Sequence, residues 1–195
     1  MGNPTFTHHI SSMNRFRQTF SNPVNAFFLK GFLIYALWTF LAEYIGKNAH
    51  TAWIWNSILN FFLGIIVLGT RAFLSLMGYS YEVMGNIIRI EGTGGIEIGP
   101  ACVGLGLMYG ISALILIFPG PKKTKSWFIP LAISGVLLLN IIRVTSLVLI
   151  SVSYPAWVDF NHKYVFNILV YIFIFLMWLW WVTKISKAEP TSTET

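Results

Sequence analysis

Five long apolar stretches decide what this chain can fold into. They cover about residues 26–45, 52–78, 101–118, 127–152 and 164–182, with short polar segments between them. A helix needs about 20 mostly apolar residues to cross a bilayer core. Hydrocarbon offers no water to backbone N–H and C=O groups, so a spanning segment is a helix or part of a closed barrel. Continuous rather than alternating apolar residues select helices. The chain of 195 residues is 55% hydrophobic and only 10% charged, against roughly 25% charged in a soluble domain. The expectation is an all-α fold, a polytopic membrane helical bundle of about five transmembrane helices. It forms a single integral membrane domain over residues 1–195. Residues 1–25 are a polar N-terminal segment and residues 183–195 a cytoplasmic tail.

Charge and special residues narrow the function. The net charge of +6 is spread over short loops and tails, which reads as membrane topology rather than nucleic-acid binding. Eight Trp and eight Tyr gather near the ends of the stretches, as interfacial anchors do. One cysteine excludes an intramolecular disulfide framework and a cysteine-cluster metal site. His8, His9 and His50 show no metal-ligand spacing, so no metal or cofactor is expected. The first apolar stretch has no small-residue cleavage pattern, so it is expected to remain as an anchor.

Ser21-Asn22-Pro23 starts the first span, since Ser or Asn can cap a helix and Pro fits its first turn. Lys30 can snorkel to headgroups, and Gly46-Lys47-Asn48 breaks the span. The 52–78 stretch is on the order of 40 Å long as a helix, more than a bilayer core of roughly 30 Å. It is one tilted span or a span plus a surface turn, and Arg71 near its end reads as a snorkelling side chain. Residues 79–100 differ in kind. Asn86–Ile90 alternates, Glu91–Gly95 is a turn and Ile96–Ile98 alternates again, which predicts a small extracytoplasmic β-hairpin before the third span. Pro119–Ser126 holds three Lys and no acid, so it is a cytoplasmic loop. Tyr154–Lys163 is a short loop on the other side, and Lys184 and Lys187 follow the last span on the cytoplasmic side. The hairpin, Cys102 and His162 then share the outer face. Five spans put the N-terminus outside, whereas Arg15 and Arg17 favour inside.

Three side chains converge on that outer face. Cys102 falls in the first turn of the third span, where free N–H groups and the helix dipole stabilise a thiolate. Gly99, Gly104 and Gly106 let backbone or substrate approach closely. The alternative is a small, inert packing residue. Arg143 lies deep in an apolar helix, where a guanidinium costs at least about 2.5–3.5 kcal/mol and so faces a polar cavity or a partner. Asn140, three residues earlier on the same face, could hold it by hydrogen bonding. Snorkelling is the other reading. His162 begins the last span. It is either incidental or a proton shuttle, a task suited to an ordinary pKa of about 6.5. Asp159 could orient its ring. A thiolate, an acid/base and a cation together make an acyl-transfer set.

At these residues the sequence resembles the exosortase/archaeosortase family of membrane cysteine transpeptidases. Ala101-Cys102-Val103-Gly104-Leu105 is similar to that family's A-C-S-G-L, and Asn140-Ile141-Ile142-Arg143-Val144 to its N-x-x-R motif. His162 stands where the family carries its His. Two positions depart from the pattern: Val103 replaces Ser, and Phe166 replaces a Gly that often follows the His by four. The resemblance covers about residues 80–170. It implies an enzyme that recognises a C-terminal transmembrane sorting tail on exported proteins and cuts it at the outer face of the cell membrane. It also implies roles: Cys102 as nucleophile, Arg143 as oxyanion or thiolate stabiliser, His162 as acid/base, with Asn140 and Gly104 in support. The rival readings are a non-catalytic membrane subunit, in which Arg143 and Asn140 are a structural polar pair, and a membrane acyltransferase using Cys102 as acyl carrier.

Overall fold

A computed structural model describes residues 23–48 and 50–185. The readings made on Arg15, Arg17, His8, His9, Ser21, Asn22 and Lys187 lie outside these residues. The described chain runs through α1 (Pro23–Lys47) and α2 (Ala52–Leu76), then three strands, β1 (Tyr81–Met84), β2 (Ile87–Ile90) and β3 (Ile96–Glu97). After them come α3 (Pro100–Val103), α4 (Leu105–Ile117) and α5 (Lys122–Ser153). The last helix, α6, spans Pro155–Ile185. Among the described residues, four segments are long and apolar enough to cross a membrane: α2, α3 with α4, α5 and α6. Helix α1, at 25 residues, is about 37 Å long and makes the fifth long helix. Side chains such as Phe32, Phe61, Leu68, Leu138 and Phe175 point outward, as they would towards lipid.

Two apolar cores hold the bundle, one near each end. At the sheet end, Ile66 and Leu74 of α2 meet Ile88 and Ile98, Cys102 and Val103, and Val144 and Val148 of α5. At the other end, Ile111 and Ile115 of α4 meet Phe128 and Ala132 of α5 and Trp181 and Ile185 of α6. The lysines Lys122, Lys123, Lys125 and Lys184 belong to that second end. Lipid is as apolar as these side chains, so inside the bilayer such contacts stabilise the bundle by close packing rather than by removal from water.

The polar segments are more ordered than the sequence suggests. The expected hairpin is a three-stranded antiparallel sheet in the order β1-β2-β3. The extra strand, β1, pairs Met84 with Ile87 across the tight Gly85-Asn86 connection. Gly85 there takes φ +62°, a conformation glycine adopts at no steric cost. Alternation along β2 turns Ile88 and Ile90 into the core while Arg89 pairs with Glu82 at 2.7 Å. The basic segment 119–126 is mostly the first turn of α5. Lys125 Nζ donates to Leu116 O and Phe118 O at 2.9 and 2.7 Å, satisfying carbonyls that the end of α4 leaves free. The expected 154–163 loop is also helical. Pro155 opens it as a 3-10 turn, and a wide π-turn follows at Asn161–Val165. His162 therefore stands inside a long helix rather than at its start.

Candidate functional site

Helix α3 is one turn long, and its brevity is local chemistry. Gly99 precedes it in extended conformation, Pro100 takes the first position and Cys102 N donates to Gly99 O at 2.9 Å. Cys102 is in the first turn, as expected, but the third span is not continuous. It breaks at Gly104, which is left-handed with φ +72° and ψ +28°. A Cβ at Gly104 would stand 2.7 Å from Asn140 Nδ2, so glycine is required for space as well as for conformation. Gly106 admits α1 closely, with a would-be Cβ 3.4 Å from Trp38 Nε1.

Cys102 is 5% exposed, and its Sγ lies 3.6 Å from His162 Nε2. That is hydrogen-bond range for sulfur, between residues 60 positions apart. Helix α5 passes behind both. Asn140 and Arg143 are 1% and 6% exposed, so neither snorkels. The guanidinium interacts electrostatically with Cys102 and with Tyr171. Its Nη2 donates to His162 O at 3.1 Å, while its Nε is buried with no hydrogen-bond partner. Asn140 was expected to hold that guanidinium. Its Nδ2 instead donates to Val103 O at 3.0 Å, because the amide faces the Gly104 break. Asp159, expected to orient the imidazole, accepts from Lys163 Nζ at 3.1 Å with both side chains exposed.

Val103 points away from the polar groups into the first core and is fully buried there. A hydroxyl in that place would need a partner, so valine suits its surroundings. Phe166 is half-buried one turn beyond His162. Arg71 is exposed and reaches Tyr81 of β1, whose hydroxyl is 3.2 Å from Ser75 Oγ. The Ser75 contact first, and Arg71 second, hold the Tyr81 phenol below the usual tyrosine range.

Three features of the site escaped the sequence reading. The π-turn carrying His162 has no residue signature. Tyr171 sits nine residues beyond His162 in an aromatic-rich helix, with nothing to mark it. Thr70 was legible in part: it lies four residues from Ile66 and four from Leu74, on the face of α2 that packs against Cys102 and Val103. It is fully buried, and its hydroxyl has no partner. Among the described residues no group of three or more His, Cys, Asp and Glu is placed to hold a metal ion.

A family model described as transmembrane exosortase matches residues 26–181. The chain belongs to the transmembrane exosortase family. The match extends well beyond the motif-bearing region, so α1 and α2 of this exosortase-family protein are family structure too. No curated protein and no solved structure matches the chain. Membership makes it an exosortase-type, multi-pass membrane protein.

Proposed function

We propose that this exosortase-family protein is a membrane cysteine peptidase or transpeptidase that cuts C-terminal sorting signals from exported proteins. The observation that carries the reading is the 3.6 Å contact between Cys102 Sγ and His162 Nε2, with a buried guanidinium at the same place. His162 takes the thiol proton, and the sulfur attacks the scissile carbonyl. Negative charge on the carbonyl oxygen is stabilised by Arg143, whose unpartnered Nε–H is a donor free for it. The C–N bond breaks as the imidazolium gives its proton to the leaving amine. The resulting thioester is resolved by a second nucleophile, water or a surface acceptor, whose proton passes to His162.

The substrate is a protein carrying a C-terminal transmembrane tail, which the lipid bilayer presents laterally to the bundle. A shallow apolar hollow of about 360 Å³ is lined by Ile150, Tyr154, Trp157 and Asn161, at the junction of α5 and α6. The lysine-bearing end of the bundle is cytoplasmic by the positive-inside rule. The sheet, Cys102 and His162 then face the extracytoplasmic side of the cell membrane. The non-catalytic alternative treats Asn140 and Arg143 as a polar pair, but each of them bonds a different main-chain carbonyl rather than the other. The Cys102–His162 contact is what favours the peptidase reading over it.

Cys102→Ser and Arg143→Ala are expected to abolish maturation of a tail-bearing substrate in cells while the protein stays in the membrane. Normal maturation by Cys102→Ser would overturn the peptidase reading.

A further inference from the structure

We infer that Asn140 and Arg143 are a two-point clamp on the main chain, with Asn140 a positioning residue that sets Cys102 against His162. The inference deepens the peptidase reading and rests on it for its functional part. It starts from two helix irregularities, one beneath each member of the pair. In an unbroken helix, Leu107 N would bond Val103 O. Here Leu107 N bonds Gly104 O at 3.0 Å, and Asn140 Nδ2 takes the freed Val103 carbonyl. Likewise Phe166 N, which in an α-helix would bond His162 O, bonds Asn161 O in the π-turn. Arg143 Nη2 takes the freed His162 carbonyl.

The two carbonyls belong to His162 itself and to the residue after Cys102. The two donors are three residues apart on one rigid helix, α5. The separation of thiol and imidazole is thus measured along one turn of α5. Without the Asn140 amide, Val103 O is a buried acceptor with no partner. The cheapest remedy is for the Gly104 break to relax towards continuous helix. That rotates Cys102 away from His162. A misplacement of about 1 Å at reacting atoms can cost on the order of 100-fold in rate.

The test replaces Asn140 by leucine, similar in shape but with no donor. Two readouts are taken: alkylation of Cys102 by a small thiol reagent across pH, and steady-state cleavage of a tail-bearing substrate. The titratable and charged groups near the pair are Arg143, with Tyr171 acting on it, and, beyond His162, Asp159 and Lys163, all unchanged in the variant. The expected alkylation profile of Asn140→Leu loses the His162 limb and superimposes on that of His162→Ala. The kcat falls on the order of 100-fold with KM within about threefold. A wild-type alkylation profile, or a loss confined to KM, would overturn the clamp. If the leucine variant does not accumulate, Asn140→Ser, too short to reach Val103 O, is read the same way. Alkylation needs no substrate, so the clamp can fail or stand separately from the peptidase reading, which the Cys102→Ser variant decides.

Discussion

Substituting Gly104 by alanine attacks the break in the third span directly. Two costs follow from its geometry. A non-glycine residue in the left-handed region costs roughly 1–2 kcal/mol. The new Cβ would also stand 2.7 Å from Asn140 Nδ2, inside any real contact, so Asn140 must swing away from Val103 O. Leaving that buried acceptor unsatisfied costs about 1–3 kcal/mol. Gly104→Ala is therefore expected to destabilise the protein by about 2–5 kcal/mol, measured by denaturant unfolding of the detergent-solubilised chain. A second measurement isolates the part that depends on Asn140. In an Asn140→Ala background the clash is gone and the Gly104 break is already relaxed towards continuous helix, so the same substitution should be close to neutral, within about 1 kcal/mol. Equal costs in both backgrounds would refute the argument that Asn140 and Gly104 are fitted to one another, and a Gly104→Ala protein of wild-type stability would refute the left-handed break itself.

Three further outcomes are expected. Thr70→Val removes a buried hydroxyl that has no partner while keeping its shape, and should raise stability by about 1 kcal/mol in the same unfolding assay. Val103→Ser restores the residue type of the family motif but puts a hydroxyl among Ile66, Leu74 and Ile88. It should lower stability by about 1–3 kcal/mol without accelerating substrate maturation. Gly94, in the β2–β3 turn, has open space around it, so a cysteine there in a Cys102→Ser background should react with a membrane-impermeant thiol reagent in intact cells. Labelling only after the membrane is opened would reverse the orientation.

The bundle was legible because lipid leaves the backbone few choices: an apolar run such as Ala52–Leu76 can only be a helix. The positions of Cys102, Arg143 and His162 were legible because a thiol, a cation and an imidazole are conspicuous in such a background. Their connections were not. Asn140 and Arg143 share a helical face, and spacing alone suggested that they bond each other. They bond main-chain carbonyls instead, and those carbonyls are free only because the helices around Gly104 and Asn161 are irregular. Gly104 could be read as a place of close approach, but its left-handed turn depends on Asn140, 36 residues away. Arg143 in the same way bonds the carbonyl at the π-turn, 19 residues away. The boundary errors have a similar source. Lys122–Lys125 look like a loop by charge, yet α5 starts there because Lys125 closes the end of α4. Tyr81–Met84 is as long as β2, but its pairing across Gly85-Asn86 shows only in the folded sheet.

The central claim is that Cys102 forms a covalent bond to the substrate with His162 as its proton partner. The most direct measurement is acid quench of the wild-type protein while it turns over a tail-bearing substrate, followed by peptide mass mapping. The expected result is a thioester on Cys102, equal in mass to the acyl fragment of the substrate, released by hydroxylamine and absent from Cys102→Ser. Substrate cleavage that continues with Cys102 unmodified, and at an equal rate in Cys102→Ser, would contradict it.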